Sequence, residues 1–245
     1  MNTYARNQQP ELMDDPELDP VAHRQALAGL RRINGWSQAA PALWQAIATE
    51  VPAGETPRPL RILDLGSGGG DLAIHLAEMA KQVHRPVKIS GCDISPTAID
   101  YATEQAASAR YTNVFFHRCN VLHEPWPDSQ YDVVMCSLFL HHLTPFDAVS
   151  LLRRMNAAAE ELVLVDDLRR SRLGYWLAWF GCRLLSRSRI VHVDGPRSVE
   201  GAYTAREAGD LAVQAGLVNV RIRHRWPQRF LLVARPGGRA DGALD

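Results

Sequence analysis

The sequence predicts an α/β protein: a doubly wound, mostly parallel sheet of seven strands that closes on an antiparallel hairpin, with a helical cap in front. Three observations predict it. An apolar run, Leu60 to Leu65, meets glycines at 66, 68, 69 and 70 and continues into apolar residues at helical spacing. Strand-like and helix-like runs then alternate over about a hundred residues, the pattern of parallel strands joined by crossover helices. Near the end, Val218–Arg225 and Arg229–Ala234 are separated only by Trp226-Pro227-Gln228, too short for anything but an antiparallel connection.

In chain order, residues 1–18 are polar and acidic and read as a frayed start. Asp19-Pro20 supplies an N-cap and first helical position. Ala26, Leu27, Leu30 and Ile33 mark that helix's apolar face, and Asn34-Gly35 stops it. Ser37 is expected to cap a second helix bearing Leu43, Trp44 and Ile47. Residues 1–56 thus form a cap that either closes over a ligand or covers a sheet edge. Pro52 to Pro59 reads as a linker, and 57–236 as the main domain.

Strands are expected at Leu60–Leu65, Val87–Ile94, Val114–Cys119, Tyr131–Ser137 and Glu161–Asp166, with Ser95-Pro96 capping the helix after the second. An insert, about 168–203, carries Tyr175, Trp176, Trp179 and Phe180 on more than one helical face. One face can dock on the sheet domain, leaving the other apolar surface over. Thr204 and Glu207 form a capping box. Residues 237–245 read as a flexible tail.

Composition narrows the function. Lys+Arg and Asp+Glu are 27 each, without the basic surplus of a nucleic-acid binder. Cys92, Cys119, Cys136 and Cys182 are too scattered for a zinc pair and read as reduced core residues of a cytoplasmic protein. No run reaches membrane-spanning length, the N-terminus lacks a secretory pattern, and no metal-ligand set is evident.

The glycine turn decides the ligand class. A dinucleotide fingerprint counted from Gly66 and Gly68 needs glycine at 71, where the chain has Asp71. With Asp64, that places two carboxylates where a diphosphate would lie. They suit S-adenosylmethionine, with its sulfonium, its ammonium and no phosphate.

Asp64-x-Gly66-x-Gly68-x-Gly70, followed by Gly91-Cys92-Asp93-Ile94-Ser95 and Tyr131-Asp132-Val133-Val134, resembles class I S-adenosylmethionine-dependent methyltransferases over roughly 58–236. The resemblance implies that Asp64, Gly66, Ser67, Gly68, Gly70 and Asp71 surround the methionine part of that cofactor. It implies Asp93 on the ribose, Ile94, Asn120 and Val121 around adenine, and Ser137 at the end of the fourth strand facing the methyl. Asn120 departs from the usual aspartate, although an amide oxygen still accepts the adenine N–H. Cys136-Ser137-Leu138-Phe139 replaces the Asn/Asp-Pro-Pro-aromatic motif of enzymes that methylate base or glutamine nitrogens. Leu140-His141-His142-Leu143 is similar instead to quinone-precursor and natural-product members.

A phenol acceptor benefits from a base, so His141 or His142 is a catalytic candidate, with Asp166 and Asp167 at the next strand tip. The aromatic insert points to a bulky apolar acceptor. Its arginines, from Arg169 to Arg189, allow transient contact with an anionic membrane. A nicotinamide-dependent oxidoreductase and a cofactor-binding protein without turnover are the alternatives.

Overall fold

The computed structural model describes residues 5–52 and 58–238. Most of the linker and the last residues of the tail lie outside the described residues. Helices α1 (Pro20–Trp36) and α2 (Ala39–Glu50) precede β1 (Leu60–Leu65), α3 (Asp71–Gln82), β2 (Val87–Asp93), α4 (Pro96–Ser108), β3 (Val114–Arg118) and β4 (Tyr131–Ser137). Then follow α5 (Pro145–Ala158), β5 (Ala159–Leu168), α6 (Arg172–Leu185), α7 (Arg189–Gly201), α8 (Ala205–Gln214), β6 (Val218–Arg225) and β7 (Arg229–Arg235).

The seven strands form one sheet in the order β3-β2-β1-β4-β5-β7-β6. Pairings from β3 through β5 are parallel, and β7 is antiparallel to both β5 and β6. Because β1 pairs with β2 on one side and β4 on the other, the chain reverses its winding there. That switch point, outside the carboxyl ends of the strands, is where open α/β sheets bind ligands.

Alternation along the strands divides the core. Leu63, Leu65, Val134, Cys136, Val163 and Val165 face one layer. Ile62, Val133, Met135, Leu162 and Leu164 face the other. Residues one apart on a strand point to opposite faces, and helices cover both. The four cysteines are free and buried.

Local signals hold where the partner is local. Asp19 Oδ2 accepts from the Ala22 N–H at 2.8 Å, Ser95 Oγ from the Ala98 N–H at 3.2 Å, and the Thr204/Glu207 capping box is complete. Ser37 does not cap α2. It closes α1, its hydroxyl donating to the Asn34 carbonyl, while left-handed Gln38 starts α2.

One further expectation fails. Residues 6–14 are not frayed. Arg6 donates to the carbonyls of Gly201, His141 and Leu143 and stacks 4.0 Å over the Tyr203 ring. The N–H groups of Leu12 and Met13 donate to Asp194. The strap alternates exposed residues with polar ones that find polar partners, so it is held although part of it faces water. The insert packs mainly on other helices, and Ser171 Oγ also donates to Gln228 Oε1 of the β6–β7 connection at 2.8 Å. Cys182 of α6 packs so tightly on Gly195 of α7 that a Cβ there would collide with its sulfur, and Ala26 of α1 joins Cys182 and Val191 in a small separate core. At the C-terminus, the Gly237 N–H donates to Asn156 Oδ1 at 2.8 Å.

Candidate active site

The glycine turn is fastened to β2. The N–H groups of Gly66 and Ser67 donate to the Cys92 carbonyl at 2.8 and 3.0 Å, and the Gly68 N–H donates to Asp93 Oδ2 at 2.9 Å. Gly66, Gly68 and Gly70 have φ of 68°, 50° and 74°, where side chains are strained. At Gly70 a Cβ would also lie 2.5 Å from Phe116 Cζ, and at Gly66 it would run into the Phe139 ring. At Gly68 the nearest such neighbour is Leu27 Cδ2 at 4.0 Å. The middle of the turn is therefore the open side, where a ligand can approach the backbone.

Carboxylates line this cradle. Asp64 is 1% exposed, and its Oδ2 and the Ser67 hydroxyl are buried without a hydrogen-bond partner among the described residues. Burial first, then the charges of Asp71 and Asp93, push the Asp64 pKa well above the ordinary range. Burial also raises Asp71, although Asn34 Nδ2 donates to it at 3.2 Å. Asp93 is raised by burial, partly offset by N–H groups of Ser95 and Gly68. Three neighbouring carboxyl groups with raised pKa, one of them with an orphaned oxygen, form a site short of positive charge. A sulfonium or ammonium ligand fits it; a diphosphate does not. Beside Asp93, Ile94 is 61% exposed.

Asn120 and Val121 are placed differently from that open wall. Asn120 Oδ1 accepts from the Leu122 N–H at 3.1 Å, closing its own turn. Val121 is buried in the main core, its carbonyl accepting from Trp126 Nε1 and Arg154 Nη1.

Past β4, Leu138 takes a left-handed φ of 52°, a strained setting for a bulky residue, with its N–H on the Asp166 carbonyl. Ser137 is held at this end by Arg229 Nη2 at 3.1 Å. Asp166 and Asp167 point apart. Asp166 binds Arg225 and Arg229, each at 2.5 Å. Asp167 Oδ1 lies 2.7 Å from His141 Nδ1, and its Oδ2 accepts the His141 backbone N–H at 3.1 Å.

His141 and His142, in a 3-10 turn (Leu140–His142), stack with ring centres 4.3 Å apart. His142 Nδ1 lies 2.9 Å from Asp14 Oδ2. The Nε2 atoms of His141 and His142 lie 3.5 and 3.9 Å from the two carboxylate oxygens of Glu11. Burial opposes charge on His141, but Asp167 and Glu11 outweigh it and push its pKa up to about 10. Glu11 and Asp167 are both lowered: burial would raise them, and histidine contacts prevail. With Nδ1 on Asp167, Nε2 facing Glu11 and its affinity for a proton this high, His141 is not poised to accept one at neutral pH. The structure thus brings His141, His142 and Asp167 together, and adds Glu11 and Asp14, which no local sequence signal marks.

Residues 58–167 match a family model described as a methyltransferase domain. The chain is 32% identical over 124 residues to demethylmenaquinone methyltransferase of Deinococcus radiodurans, covering 50% of this chain and 48% of that one. It is 32% identical over 84 residues to 27-O-demethylrifamycin SV methyltransferase of Amycolatopsis mediterranei, 34% of this chain and 29% of that one. It spans about half the length of the demethylmenaquinone methyltransferases it matches. Among solved structures, a SAM-dependent methyltransferase from Aquifex aeolicus superposes with a TM-score of 0.63 at 18% identity, over 90% of this chain and all of that one. Human N-acetylserotonin methyltransferase in complex with SAM gives 0.62 at 17% identity, over 90% and 57%. Those identities speak for the fold alone. Strand order, glycine turn and matched region agree: this chain carries a class I S-adenosylmethionine-dependent methyltransferase domain.

Proposed function

We propose that the protein transfers a methyl group from S-adenosylmethionine to a hydroxyl, or a nucleophilic carbon, of an apolar aromatic small molecule of phenolic or quinone type. The observation that carries the reading is the glycine cradle whose buried carboxyl groups Asp64, Asp71 and Asp93 are short of a cation. When bound, the cofactor supplies a methyl on a sulfonium, already a good leaving group. Asp64, Ser67 and Asp71 would hold its methionine part against Gly66, Gly68 and Gly70. Asp93 would take the ribose: its two backbone donors occupy only part of a carboxylate's acceptor capacity. Ile94 would cover the adenine, with Asn120 and Val121 of the turn after β3 as the other candidates to border it. Ser137 and Phe139 would border the methyl. The protein's main tasks are then to orient the acceptor and exclude water. The acceptor class is supported by the apolar insert and by relatives named for demethylmenaquinone and 27-O-demethylrifamycin SV.

Calorimetry tests this directly. S-adenosylhomocysteine is expected to bind with a Kd on the order of micromolar, about −8 kcal/mol, and NAD not to bind; NAD binding alone would reverse the assignment. Transfer of a labelled methyl to a panel of phenols and hydroquinones then reads the acceptor class.

We also infer that the protein meets its apolar acceptor at an anionic membrane surface. Helix α6 turns Leu173, Trp176, Phe180 and Leu184 outward, 55%, 54%, 62% and 85% exposed, in a stripe flanked by Arg172, Arg183 and Arg187. Apolar groups that enter the interface beside cations that pair with acidic headgroups support this docking. No helix among the described residues is long and apolar enough to cross a membrane. The chain is expected to float with phosphatidylserine vesicles at low salt and to lose about ten-fold of that binding in Phe180→Glu. Absence of co-flotation in the wild type would sink the idea.

A further inference from the structure

Both histidines of the pair are oriented in the same way. Each has Nδ1 within hydrogen-bond distance of a carboxylate, Asp167 for His141 and Asp14 for His142. Each then faces its Nε2 to a single shared carboxylate, Glu11. Histidines that ligate metals are commonly held this way, with the far ring nitrogen on a carboxylate that fixes tautomer and orientation. Glu11 is itself placed by the Ser198 hydroxyl, which donates to its Oε1. The strap that delivers it is anchored by Arg6 to the carbonyls of His141 and Leu143.

The spacing fits ligands around an ion better than it fits hydrogen bonds. Nε2-to-oxygen distances of 3.5 and 3.9 Å are long for hydrogen bonds. Two ligands on a tetrahedral ion with bonds of about 2.1 Å stand about 3.4 Å apart. The ligand atoms of Glu11, His141 and His142 all lie within 4.8 Å of one another, so small side-chain adjustments close the set. In the metal-free chain a proton on His141 faces Glu11; a metal ion would take that proton's place and draw both Nε2 lone pairs and the carboxylate onto one centre.

We propose that Glu11, His141 Nε2 and His142 Nε2 bind one divalent first-row transition-metal ion. Two histidines and one carboxylate suit zinc, iron(II), cobalt(II) or manganese(II) and leave coordination positions open. The Phe139 ring centre is 6.1 Å from that of His142 and lies against Gly66, so the ion would sit about one ring away from the glycine turn. There its open positions would take the acceptor's oxygen and lower its pKa, a task His141 alone is not placed to perform. That last step rests on the methyl-transfer reading; metal binding does not.

The test uses the full chain, stripped with a chelator and titrated with cobalt(II) chloride while visible d–d absorption is followed. One equivalent is expected to bind, and zinc to displace it. Glu11→Gln and His142→Ala, at partly exposed positions, are expected to weaken binding by more than about ten-fold with unchanged circular dichroism. No saturable cobalt or zinc binding in the wild type up to about 1 mM, ~−4 kcal/mol, or unchanged binding in both variants, would leave only a proton between His141 and Glu11 and overturn the site. S-adenosylhomocysteine calorimetry on the same samples reports separately on the methyl-transfer reading.

Discussion

Asp166→Ala is expected to destabilise the protein by about 3–5 kcal/mol, the largest single-residue stability effect predicted here. Asp166 is fully buried at the end of β5. Arg225 Nη1 binds one carboxylate oxygen and Arg229 Nη2 the other, each at 2.5 Å. Arg229 is 2% exposed, and its Nη1 donates to Ser37 Oγ; Arg225 donates to the carbonyls of Ser37 and Gln38. One carboxylate thus fastens the closing hairpin to the junction of α1 and α2. Removing it strands two guanidinium groups that are mostly out of water, which costs more than the net worth of the pairs. In thermal unfolding followed by circular dichroism, the midpoint should fall on the order of 10 °C. Adding Arg229→Met should recover part of the loss, because it removes the more deeply buried orphaned charge. A single variant within about 1 kcal/mol of wild type would show that the network is not coupled in this way.

That contrast between Asp166 and its neighbour also marks how far the sequence could be read. Asp166 and Asp167 are equal candidates at a strand tip until the pleat sends them to opposite faces. One then meets two arginines some sixty residues on, the other a histidine from a preceding turn. Features written in neighbouring residues were legible: the bounds of β4 and β6, the proline-assisted caps at Asp19 and Ser95, and the glycine turn. Features written across the chain were not. Glu11 and Asp14 reach the histidine pair over about 130 positions of separation, so an acidic, polar beginning reads as frayed when it is a strap. Helix α7 was hidden by Gly195-Pro196 in its interior, residues that ordinarily break helices. The apolar stripe of α6 was visible, but its spacing could not say which face lies outward.

Asp64→Asn should move affinity and stability in opposite directions. In the ligand-free protein the Asp64 carboxyl is buried beside Asp71 and Asp93, and its ionised form is penalised by all three causes. An amide of the same shape carries no charge to bury. The variant's melting temperature should therefore rise, by roughly 2–4 °C for each kcal/mol relieved. The sign fixes the pH window. A carboxyl whose folded pKa lies above its unfolded value costs stability as pH rises from the unfolded toward the folded value, and the whole penalty stands above that. The gain should thus vanish below the ordinary aspartate value of 3.8, where both side chains are neutral. Cofactor binding runs the other way. A cationic ligand favours ionised carboxylates, so wild-type affinity should tighten with rising pH in that window, with proton release seen as buffer-dependent binding heat. Losing one charge-assisted contact of about 1.5–3 kcal/mol should weaken S-adenosylhomocysteine binding roughly 10- to 100-fold. A merely structural aspartate would give the reverse pattern, a lower melting temperature with affinity unchanged. Opposite signs from one substitution are what a carboxylate kept for a cation must produce.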